Sequence, residues 1–90
     1  MAHIVLEQFF ENPITSEELN DFAKRVDKCL EAYGATWVRS YIASDRKRAI
    51  CEFEAADAEK VRASYRSAGV NFERVWTAEV FSREEPAASY

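Results

Sequence analysis

Only two glycines occur in these 90 residues, Gly34 and Gly69, and each stands just beyond apolar residues recurring at helical spacing. Glycine takes positive φ without steric cost, so it commonly follows the last turn of a helix. Before Gly34, the residues Leu19, Phe22, Ala23, Val26, Leu30 and Tyr33 make one apolar stripe. Asn12-Pro13 breaks the chain ahead of it, and Thr15 with Glu18 has the spacing of a capping box. Ile14 and Leu19 occupy the two places of a hydrophobic staple. Before Gly69, Ala58, Val61, Tyr65 and Ala68 share a face, with Asp57 as the cap. Caps and periodicity agree at both ends of both segments, which predicts two helices.

The remaining segments read as strands. Residues 3–10 are rich in β-branched and aromatic types. Residues 37–42 and 49–55 alternate with period two around Asp45-Arg46-Lys47-Arg48, the pattern of a β-hairpin. A last strand is expected from Arg74 to Phe81. The order is β-α-β-β-α-β. Right-handed crossovers then favour an α+β ferredoxin-like sandwich, a four-stranded antiparallel sheet with both helices on one face. We read residues 1–82 as a single domain and 83–90, with Glu84, Glu85 and Pro86, as a flexible tail.

Helices on one side leave the other side of the sheet bare. Alternation predicts that Ile4, Leu6, Val38, Ile42, Cys51 and Phe53 meet Phe22, Val26, Leu30, Val61 and Tyr65. The same phase puts Val5, Glu7, Phe9, Trp37, Arg39, Tyr41, Ile50, Glu52 and Glu54 on the uncovered face. A small monomer seldom leaves so many large apolar side chains bare. A second copy is the simplest cover, because a two-fold pair presents one patch to itself, and a tail folding back over the sheet is the alternative. Homodimerisation through the open sheet face is therefore expected. Its charged residues fit either an interfacial ion-pair network or a polar pocket between two sheets.

Composition narrows the classes of partner. The net charge of −4 argues against nucleic acid, which needs clustered Lys and Arg to neutralise phosphates. Arg46-Lys47-Arg48 is the one basic run, and at a hairpin tip it reads as a solvated turn. Cys29 and Cys51 form neither a disulfide framework nor a CxxC metal motif, and read as reduced, buried small hydrophobes. No apolar run reaches the ~18 residues a membrane span needs. The N-terminus lacks the features of a signal peptide, so a cytoplasmic location is expected.

Glu7, Trp37, Arg39, Tyr41, Glu52 and Glu54 are the candidate ligand-binding residues, and His3, the single histidine, is the candidate metal ligand. Glu52 and Glu54 lie two apart on one strand face, roughly 6.5–7 Å by the strand rise. Such a pair can hold a cation or share a proton. Arg39 suits an anion or a carboxylate, and Tyr41 can donate a hydrogen bond. No catalytic triad order, phosphate loop or glycine-rich dinucleotide turn is present.

Trp37-Val38-Arg39-Ser40-Tyr41, then Ile50-Cys51-Glu52-Phe53-Glu54-Ala55 and Asp57-Ala58-Glu59, resemble the core pattern of a small bacterial domain family. That family is mostly of unknown function and includes nickel-binding proteins. Glu7, Thr15, Gly69 and Arg74-Val75 also fit, and the likeness covers residues 3 to about 81. The resemblance implies a ferredoxin-like fold, a dimer and, in some members, nickel held partly by histidine. This chain departs from the pattern at Arg39, a place where relatives often carry histidine, and at Ser64, Arg66 and Ser67, where some have histidines in the second helix. Arginine has no lone pair to give a metal.

The reading is a small homodimeric cytoplasmic protein that binds a ligand on its open sheet face, with nickel as the metal the resemblance implies. Two alternatives stand beside it. One is a cofactor-free enzyme acting on a small molecule in a dimeric α+β barrel, and the other is a protein-interaction module.

Overall fold

A computed structural model describes residues 1–86. In chain order the elements are β1 (Ala2–Phe9), α1 (Ser16–Ala32), β2 (Thr36–Ile42), β3 (Arg48–Ala55), α2 (Ala58–Ala68) and β4 (Arg74–Ala78). The four strands form one antiparallel sheet in the order β2-β3-β1-β4. This is the expected α+β ferredoxin-like arrangement. Among the described residues, no helix is long and apolar enough to cross a membrane.

The expected caps form. Thr15 accepts from the Glu18 backbone N–H at 3.1 Å, and Glu18 accepts from the Thr15 N–H at 3.0 Å. The Thr15 backbone N–H, and after it the Thr15 hydroxyl, hold the Glu18 carboxyl below the usual glutamate range. Asp57 accepts from the Lys60 N–H at 3.0 Å. Gly34 and Gly69 take φ of 71° and 69°, the left-handed region that favours glycine.

The hairpin tip differs from a free solvated turn. Its carbonyls at Lys47 and Arg46 accept from the Phe10 and Ile14 amides at 2.8 and 2.9 Å, and the Arg46 guanidinium donates to Ser16 Oγ at 3.3 Å. The tip is thus tied to the loop leading into α1. Arg46 itself sits at φ 64°, outside the usual range of an arginine.

Ile4 and Leu6 of β1, Cys51 and Phe53 of β3 and Val75 of β4 pack against Val26, Leu30, Val61 and Tyr65. Tyr65 stands edge-on to Phe53 and to Phe72, with centroids 5.9 and 6.1 Å apart. Ser64 is fully buried and donates to the Lys60 carbonyl at 2.8 Å, with the Cys29 carbonyl of α1 at 3.4 Å. A small residue with a satisfied hydroxyl lets the helices approach closely. Arg66 pairs with Glu59 at 3.0 Å on the exposed surface of α2.

β4 ends at Ala78 instead of Phe81 because its partner runs out: His3 opposes Ala78, one residue inside the start of β1. Beyond it, Ser82 and Glu85 close a local turn. Residues 83–86 of the expected tail carry no helix or strand, and 87–90 lie outside the described residues.

Burial pushes the Cys51 thiol and the Tyr65 phenol above their ordinary values of 9.0 and 10.0. An acid with a raised folded pKa contributes stability below its unfolded pKa and loses it as pH rises beyond that point, because the unfolded chain then binds fewer protons. Urea midpoints are therefore expected to fall as pH climbs past 9.0, with Cys51→Ala flattening the first part of the decline. Midpoints independent of alkaline pH would contradict the buried setting of both groups.

Candidate functional site

The face opposite the helices is laid out in rows by strand register. Arg39, Glu52, Val5 and Trp76 form one row across β2-β3-β1-β4, and Tyr41, Ile50, Glu7 and Arg74 form the next. His3 lies opposite Glu54 on β3 and Ala78 on β4.

Glu52 is the hub of this face. Its Oε2 lies 3.1 Å from His3 Nε2, a diagonal contact between neighbouring strands, and the imidazole donates whenever that nitrogen carries the proton. Its Oε1 lies 2.7 Å from Arg39 Nε in an ion pair. Yet Oε1 is shut off from solvent and accepts no directed hydrogen bond. The His3 and Glu52 side chains are about one-fifth exposed, whereas that of Arg39 is 60% exposed. A half-sheltered carboxylate is thus held between an imidazole and a guanidinium, with acceptor capacity left over.

A second carboxylate stands nearby. Glu7 Oε2 accepts the Trp76 indole N–H at 2.8 Å, with Arg74 Nε at 3.8 Å. Tyr41 and Phe9 stand out from the same face, 57% and 63% exposed.

Of the residues expected at the site, Glu7, Arg39, Tyr41, Glu52, Glu54 and His3 do share the open face. Contact joins only His3, Glu52 and Arg39. Glu54 is exposed and does not complete a three-ligand group with His3 and Glu52; no group of three metal-ligating side chains occurs among the described residues.

Trp37 is a correction. The β2-β3 register slips between Trp37 and Arg39, so Trp37 opposes Phe53 while Arg39 opposes Glu52. The extra residue is a β-bulge, and it turns Trp37 to the helix side. Val38 is the inserted residue and is 39% exposed, so it is not the core residue expected from alternation. Sequence reading also missed Trp76 and Arg74. Their signal was there, since buried Val75 between them sets the phase of β4.

The profile of the family described as "Nickel responsive protein SCO4226-like" matches residues 4–77. No curated protein matches the chain. Among solved structures, the chain is similar to the crystal structure of SCO4226 from Streptomyces coelicolor A3(2), with a TM-score of 0.81 and 16% identity, covering 90% of this chain and 100% of that one. At that identity the likeness shows a shared fold. With the profile spanning β1 to β4, the chain belongs to the SCO4226-like family of nickel responsive proteins.

Proposed function

We propose that this is a nickel-responsive homodimer whose open sheet faces meet, with His3 and Glu52 supplying half of a metal site. The observation that supports it is the His3–Glu52 contact at 3.1 Å on a bare face that also carries Trp76, Tyr41 and Phe9. Imidazole nitrogen with carboxylate oxygen suits a divalent first-row metal. Two such donors are too few for a tight site in one chain. A two-fold axis through the face doubles them, and the same axis covers the exposed aromatics. A bound nickel ion would neutralise carboxylate charge and tie the two chains together.

Arg39 has a definite role in this reading. It neutralises Glu52 while metal is absent, and it must release or share Oε1 when a cation arrives. That competition sets affinity below what the donor atoms alone would give, as suits a protein that responds to a metal and does not merely store it.

Calorimetric titration of Ni²⁺ into chelator-treated protein checks this. Saturating heat at micromolar concentration is expected, with one nickel for every two chains. His3→Ala is expected to weaken it by about tenfold or more, since even outer-shell partners of metal ligands carry that much. Absence of heat at micromolar Ni²⁺, or an unchanged affinity in His3→Ala, overturns the metal reading.

A further inference from the structure

The helix side holds a feature that the open face does not need. Between the first turns of α1 and the β2 edge of the sheet lies an apolar cleft of about 290 Å³. Its lining includes three small residues: Ala23 on α1, Ser40 on β2 and Cys51 on β3. Protein interiors pack densely, and small side chains set against small ones leave space. Phe53 and Val26, both buried, and Phe22, half-buried, line it as well. The bulge in β2 swings Trp37 across one end, where its indole N–H donates to Ser40 Oγ at 3.0 Å. A rigid aromatic plate thus stands half-exposed at the mouth of a preformed apolar space.

We propose that this cleft binds a small, neutral, apolar molecule of one or two rings. Size argues for that class. A dry cavity of about 150 Å³ takes up benzene, so 290 Å³ has room for two rings. Charge argues the same way. The polar groups of the lining are the Asn20 amide, the Ser40 hydroxyl and the Cys51 thiol, all neutral, and its one charged residue is Asp27, exposed and repelling anions. The cleft and the His3–Glu52 cluster lie on opposite faces of the sheet, so loss of either site leaves the other intact.

The test uses N-phenyl-1-naphthylamine, a neutral two-ring fluorophore, with the full chain. Saturable one-to-one fluorescence enhancement is expected, with energy transfer from tryptophan that is reduced in Trp37→Ala. Ala23→Phe places a tethered ring in the cleft, and is expected to weaken the probe by about tenfold or more, a loss of about 1.4 kcal/mol or more, with the thermal midpoint held or raised. No enhancement in the native chain, or equal binding by Ala23→Phe, overturns the proposal. If Ala23→Phe halves the molar mass in light scattering and the native chain ignores the probe, the cleft is a contact between copies and the proposal also fails.

Discussion

Replacing Phe53 by alanine is expected to lower the stability of the chain by about 3–5 kcal/mol. Phe53 is the largest of the fully buried side chains, 1% exposed, at the middle of a central strand and edge-on to Tyr65. Truncation removes its transfer free energy and leaves a cavity that β3 cannot collapse, because both flanking strands hold its backbone. Domains of this size have about 5–15 kcal/mol in total, so the variant should sit near its unfolding midpoint in mild denaturant. Phe81, beyond the end of β4 and 76% exposed, gives the contrast: Phe81→Ala should change stability by about 0.5 kcal/mol or less. Urea titration followed by near-ultraviolet circular dichroism measures both. A Phe53→Ala loss under about 1 kcal/mol would mean that the sheet–helix interface is not the main core.

The second large effect concerns assembly. In the proposed homodimer, Trp76→Lys should halve the molar mass in light scattering, whereas Trp37→Lys should leave it unchanged. The two tryptophans are similarly exposed, 45% and 49%, so surface hydrophobicity does not separate them. What separates them is the face each occupies. The ammonium introduced by Trp76→Lys would lie beside Glu7 and stay hydrated in a free chain. In a two-fold pair that covers this face the same ammonium would be taken out of water, which costs several kcal/mol. A native chain that runs as a monomer would remove the dimer. Loss of mass in Trp37→Lys alone would move the interface to the α1–β2 side.

These two tryptophans also show how far the sequence can be read. The helices were legible because their ends are marked chemically, by Thr15 and Glu18, Asp57, Gly34 and Gly69. The phase of β3 was legible because Phe53 stands between Glu52 and Glu54, and that of β1 because His3 and Glu7 fall in step on the face opposite Ile4 and Leu6, although apolar Val5 lies between them. β2 was not, since Trp37 and Val38 are both apolar and either can face the helices. Only pairing with β3 reveals the inserted residue. The His3–Glu52 contact was hidden for a related reason. Glu52 opposes Val5 and His3 opposes Glu54, so the two meet on a diagonal that depends on register. Ser64 adds a further point: a polar residue within α2 has its hydroxyl sealed between two helices, facing away from the bare sheet.

The knot of bonds joining the β2–β3 tip to the loop before α1 bears on how this chain can be re-engineered. Tight surface hairpins are common places to graft epitopes or splice in reporter peptides. Here a longer tip would draw the Lys47 and Arg46 carbonyls away from the Phe10 and Ile14 amides, and Ile14 is buried, so water could not readily replace its partner. The length of that corner is set by a different part of the chain, and grafts placed there would loosen the first helix along with the hairpin.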